Sequence, residues 1–65
     1  MNQKKIEKKL KELCNDSNMF FQHGADGAGK ILWFDKDEKE WCVNTFFAAT
    51  EDEVAISPMP VERFA

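Results

Sequence analysis

The chain has one histidine, one arginine, two cysteines, three glycines and no unbroken apolar run of membrane-spanning length. Each scarcity removes a class of function. A bilayer-crossing helix needs about 18 or more consecutive apolar residues. The first residues, MNQKKIEKKL, carry charges where a signal peptide would need its apolar stretch. A cytoplasmic protein without membrane association is therefore expected. Cys14, Cys42 and the single His23 match neither a four-ligand zinc spacing nor a disulfide framework. In a reducing compartment both thiols are expected to behave as small buried hydrophobes, with one Cys14–Cys42 bridge as the alternative. No metal and no cofactor is expected.

At 65 residues the chain makes a single small domain over 1–65, too short for the enclosed clefts of doubly wound or barrel enzymes. Its 43% apolar residues, with six Phe and two Trp, favour folding over disorder. A core this small commonly draws stability from a metal, a disulfide or another chain. The net charge is -3, unevenly placed. Residues 1–14 hold five lysines against Glu7 and Glu12, whereas residues 15–65 hold four basic and ten acidic side chains. That acidic body, with Arg63 as its one arginine, argues against nucleic acid as partner. The basic head reads as a solvated helix surface, or else as a contact for an acidic partner: an acidic protein groove or, as a third and less favoured function, a nucleic acid bound through the basic helix.

Ile6, Leu10, Leu13 and Cys14 recur at helical spacing, which predicts an amphipathic helix over about 3–14 with Asn2 as its cap. Asn15-Asp16-Ser17-Asn18 should end it. Aromatic and β-branched segments predict strands over about 19–23, 30–35 and 40–48, with an edge strand over 54–59. The expectation is an α+β fold: an N-terminal amphipathic helix packed on one face of a three- to four-stranded antiparallel sheet, connected as a meander.

Symmetric closure on Asp37-Glu38 pairs Phe34 with Trp41, Trp33 with Cys42 and Leu32 with Val43. Closure of the first hairpin around Gly24–Gly29 sets Phe21 beside Leu32, Phe20 beside Trp33 and His23 beside Lys30. The all-apolar face with Leu32, Phe34, Trp41 and Val43 is then expected under the helix. The opposite face, with Phe20, Gln22, Ile31, Trp33, Cys42, Asn44 and Phe46, is expected to stay open as a partner or self-association surface. On that assignment Trp33→Ser leaves the fold intact. A one-residue slip would exchange the faces and leave a different aromatic set uncovered.

Three patterns resemble chemistry. Gly24-Ala25-Asp26-Gly27-Ala28-Gly29-Lys30 matches GxxxxGK, but Ile31 stands where Ser or Thr should hold magnesium, and a strand follows instead of a helix. A hairpin loop accounts for it, with Gly27, Gly29 and Lys30 as a candidate anion or ligand loop. Asp35-Lys36-Asp37 opens like a calcium loop, yet Glu40 and Phe46 occupy the positions that require glycine and glutamate. His23 lacks a recognisable nucleophile and orienting carboxylate. The function expected is accordingly a small acidic interaction protein, not an enzyme, binding a protein partner or forming a homodimer as an inhibitor, adaptor or accessory subunit. The alternative is a binder of a nucleotide-like ligand, with Gln22, Asn44, Trp33 and the glycine loop at a dimer interface.

Overall fold

Asn2 caps the helix, its side-chain oxygen accepting from the Lys4 and Lys5 amides at 3.1 and 3.4 Å. In the computed structural model, which describes residues 2–64, α1 runs Gln3–Cys14. Met1 and Ala65, the ends of the expected 1–65 domain, lie outside the described residues. The helix stops where Asn15 turns left-handed at φ 50°, and the Asn15 and Asp16 amides donate to the Glu12 and Lys11 carbonyls. Asp16 then ties the connection to the sheet: its carboxylate accepts from the Asn18 amide at 2.9 Å and from the Phe34 amide at 2.9 Å.

The strands are β1 Phe20–His23, β2 Ala28–Asp35, β3 Glu40–Thr50, β4 Glu53–Ile56 and β5 Glu62–Phe64, all antiparallel to their neighbours. β1 to β4 form a meander, and β5 pairs with the early part of β3 beside β4. The α+β architecture, one helix on an antiparallel sheet, is thus as expected. The expected edge strand over 54–59 is shorter, β4 at Glu53–Ile56, and β5 at Glu62–Phe64 is a fifth strand beyond the three or four expected. β4 ends at Ile56, Ser57 still donates to the Thr45 carbonyl at 2.9 Å, and pairing resumes with Val61 on the Val43 carbonyl at 2.8 Å. Pro58 and Pro60, which have no amide hydrogen to donate, stand between them.

The second hairpin has the expected register, Phe34 opposite Trp41 and Leu32 opposite Val43. The first does not. Phe20 pairs with Leu32, Phe21 with Ile31 and His23 with Gly29, one residue from the expected pairing. The cause is the loop: Ala25–Gly27 forms a 3-10 turn, with Asp26 and Gly27 at φ 57° and 76°. The Gly24 amide closes it on the Ala28 carbonyl at 2.7 Å. The hairpin is therefore centred on Asp26, and β2 starts two residues earlier than expected.

The faces are exchanged as well. The helix side of the sheet carries Ile31, Trp33, Cys42, Asn44 and Phe46, with Ile31 and Phe46 packed against Ile6 and Leu10, and the face with Leu32, Phe34, Trp41 and Val43 lies on the other side. Ile6, Leu10, Met19, Ile31, Phe46 and Ala48 form the core, each large side chain contributing about 1.5–3 kcal/mol by burial. Room for the helix comes from small residues on this side, above all Gly29. A Cβ there would stand 2.6 Å from the Phe46 ring and 2.3 Å from the Gln22 carbonyl oxygen. Leu13, expected in the helix stripe, is exposed, because Ile6, Leu10 and Cys14 hold the i, i+4, i+8 line and Leu13 falls beside it.

Candidate functional site

Antiparallel partners share a face, so the register builds the uncovered side of the sheet rung by rung. Phe34, Trp41 and Phe64 make the first rung; Phe20, Leu32, Val43 and Glu62 the second; Gln22, Lys30 and Thr45 the third; Ala28, Phe47 and Ala55 the fourth. Phe34 and Trp41 meet edge to face with centroids 5.5 Å apart. Phe20 is 61% exposed, Phe47 54%, Phe64 42% and Trp41 39%. Leu32, Phe34 and Val43 are half-buried between them. A depression of about 180 Å³ lies toward the β1–β2 side of this face, lined by Phe20, Gln22, Lys30, Leu32 and Val43 among others.

Of the side chains expected on an open face, Phe20 and Gln22 are exposed there. Ile31, Trp33, Asn44 and Phe46 are on the helix side: Ile31, Asn44 and Phe46 are buried and Trp33 half-buried. Asn44 is a structural polar group. Its side-chain oxygen accepts from the Trp33 indole at 2.8 Å and its amide donates to the Ser57 carbonyl at 2.9 Å, which anchors the break between β4 and β5. Lys30 is exposed on the third rung, Gly29 lies under Phe46, and Gly27 serves the turn, so the three residues of the candidate loop have separate surroundings.

The helix leaves a second concavity beyond its C-terminal end, a groove of about 480 Å³ lined by Cys14, Trp33, Asp35, Lys36, Asn44 and Ile56 among others. It brings Trp33 and Asn44 together, as the ligand-binding alternative requires; Gln22 and the glycine loop are not part of it. Asp35 accepts from the Asp37 and Glu38 amides at 3.0 and 3.2 Å, and Arg63 approaches it at 3.4 Å. The Glu38 amide, then that of Asp37 and Arg63, hold the carboxyl below its ordinary value against some desolvation. Arg63 also reaches Cys42 Sγ at 3.1 Å and Glu40 at 3.6 Å. Burial pushes the Cys14 thiol up to about 11 and raises that of Cys42, where Arg63 pulls the other way. Both cysteines are free.

His23 closes the other end of the molecule, its Nε2 2.6 Å from Glu7 and its ring edge-on to Phe46 at 5.7 Å. This pair fastens helix to sheet. Among the described residues no group of three or more His, Cys, Asp and Glu side chains is placed to hold a metal, and no helix is long and apolar enough to cross a membrane.

No protein-family model, curated protein or solved structure matches the chain. The residues that sequence reasoning missed are Leu32, Phe34, Trp41, Val43, Phe47 and Phe64. A usable signal was the polar rung: once Gln22, Lys30 and Thr45 align, their face is a poor candidate for a dry core.

Proposed function

We propose that this is a non-enzymatic interaction domain that docks a protein surface through the open sheet face. The observation that carries the reading is the pair of adjacent rungs Phe34-Trp41-Phe64 and Phe20-Leu32-Val43, ordered by cross-strand packing and uncovered by any described segment. Four aromatic rings at about 200 Å² each, exposed to the fractions above, leave about 400 Å² of ring surface in water. Phe20, Phe64 and Trp41 account for about 280 Å² of it on the two adjacent rungs, and with Leu32, Phe34 and Val43 between them that surface enters the range of the largest apolar patch of a typical monomer, about 300–600 Å², which is often functional; Phe47 stands apart beyond the polar rung. The Phe34–Trp41 pair, packed edge to face, loses little conformational entropy on binding, and the Gln22-Lys30-Thr45 rung supplies polar contacts beside it.

Thermal unfolding tests the premise. A docking face tolerates Phe47→Ser and Phe20→Ser with the cooperative transition retained: close to half of each ring is already buried, so each costs about 1 kcal/mol, a Tm shift of about 4–8 °C when measured in dilute protein. If either substitution unfolds the protein, that face is core and the proposal falls.

The second reading, a small-ligand binder, is favoured by the Trp33–Asn44 groove, whose volume suits a ligand site. Both side-chain ends of Asn44 are already engaged and Lys36 Nζ donates to the Asn15 carbonyl at 3.0 Å, leaving the Asp37 carboxylate, the Asn15 side chain and the remaining Lys36 hydrogens for recognition. A nucleotide panel that raises Tm and protects Cys14 from alkylation would support it; a panel without effect on either would count against it.

A further inference from the structure

Resting on the docking reading above, we infer that the occupant of the open face is a second copy of this chain, packed face to face about a two-fold axis. The first argument is area. The four exposed rings and the half-buried Leu32, Phe34 and Val43 between them amount to about 500 Å² of apolar surface. One side of a standard stable interface covers about 800 Å², of which about 56–65% is apolar. The face thus supplies the apolar share of one side of such an interface by itself.

The second argument is charge. The chain carries -3 overall, yet the four rungs hold one lysine and one glutamate, Lys30 and Glu62, on opposite sides of β3. The face is neutral, so it does not repel its own copy and offers no excess charge to recruit a strongly basic or acidic partner. A two-fold axis crossing the line between Lys30 and Glu62 sets each lysine against the other copy's glutamate, an isologous arrangement. The third argument is layering. Alternate residues of β2 and β3 send apolar side chains to both sides of the sheet, as in the inner sheets of a sandwich. One side meets α1. The other meets its twin about 10 Å away, giving helix, sheet, sheet, helix, with both apolar faces covered.

Light scattering coupled to size exclusion, run from micromolar to millimolar protein, should give twice 7.5 kDa, falling toward 7.5 kDa on dilution. Phe47→Asp and Phe20→Asp should each return the monomer mass at every concentration while retaining the wild-type far-ultraviolet dichroism. Phe47→Ser serves as the milder variant should an aspartate disturb folding. A wild-type monomer throughout the range overturns the inference, as does a dimer whose mass neither variant changes, or growth beyond two copies. The dye anilinonaphthalenesulfonate separates the two levels of failure. A monomer that binds the dye, and loses it with Phe47→Asp, keeps the face as a docking surface for another protein. A monomer that ignores the dye removes the docking reading too.

Discussion

Gly29→Ala puts the most stringent demand on the described packing, because elementary propensity and the structure predict opposite signs. In a strand, alanine is favoured over glycine by about 0.5–1 kcal/mol through its smaller loss of backbone freedom. At position 29 the added Cβ would meet Phe46 Cε2 and Cζ at 2.6 Å and the Gln22 carbonyl oxygen at 2.3 Å. Neither neighbour can yield easily: Phe46 is fully buried, and the Gln22 carbonyl belongs to the pairing of β1 with β2. Overpacking of this kind costs about 1–3 kcal/mol, and two contacts so short place it at the upper end. The net loss is about 2–3 kcal/mol, out of about 3–10 kcal/mol for a domain of this length. With a urea slope of about 1 kcal/mol/M, the unfolding midpoint should fall by about 2–3 M. Gly24→Ala is the matched control: its Cβ would meet the Ala28 carbonyl oxygen at 3.1 Å, with the next atoms at 3.7 Å or beyond. Its midpoint should stay within about 1 M of wild type. In a Phe46→Ala background the Gly29→Ala penalty should shrink by about 1 kcal/mol or more, since one of the two obstacles is gone. A Gly29→Ala protein as stable as wild type would refute the placement of Phe46 over β2, and with it the assignment of faces.

Leu10→Asp should abolish folding, since Leu10 is fully buried in the contact between helix and sheet and a lone carboxylate has no partner there; a cooperative thermal transition in that variant would contradict the layering. Trp33→Ser, harmless on the assignment of faces drawn from the sequence, should now cost about 3 kcal/mol or more, because it removes an aromatic packed against the core and the indole donor to Asn44. A wild-type urea midpoint would restore the original assignment. Cys14 should alkylate about 100-fold more slowly in the native protein than in urea at pH 8, its thiol being raised from 9.0 to about 11. A raised thiol favours the neutral form in the fold, so its contribution to stability is complete below about pH 9 and is lost as pH climbs through about 11. Native and unfolded rates within a few-fold of each other, measured by mass spectrometry, would remove the burial argument.

The helix was legible because Ile6, Leu10 and Cys14 repeat at its period and Asn2 and Asn15 have the chemistry of its two ends. The second hairpin was legible because its turn is short, polar and symmetric about Asp37-Glu38. The first hairpin was misread by one residue because its register depends on the left-handed Asp26 and Gly27, and a loop with three glycines admits several closures. That slip gave Phe20 and Phe21 the wrong partners, but because the faces are exchanged as well, Phe20 is on the open face and Phe21 on the helix side, as expected. The exchange of faces has another origin. Leu32, Phe34, Trp41 and Val43 are more uniformly apolar than the residues that did become core, and composition alone selects them. Packing selects otherwise: a helix needs shallow ground, which Gly29, Cys42, Asn44 and Ala48 provide, and it needs one long side of β3, which the alternate residues Cys42 to Ala48 supply. The C-terminal residues were ambiguous because Pro58 and Pro60 interrupt what is otherwise one line of pairing along β3.

That interruption bears on whether a further strand can add to the edges of the sheet. A sheet has two rims, and a long straight rim invites further strands to add end over end. Here one rim is β1, four residues long. The other is the broken line of β4 and β5, where two prolines stop a foreign strand from reading continuously past Ser57. β3, the longest strand, has neighbours on both sides and shows no rim along most of its length. Unsatisfied backbone is thus kept in fragments too short to template another chain, while the apolar surface lies on a broad plane at right angles to it. In the proposed dimer, contact through that plane closes after one encounter, whereas strand addition at a rim would repeat.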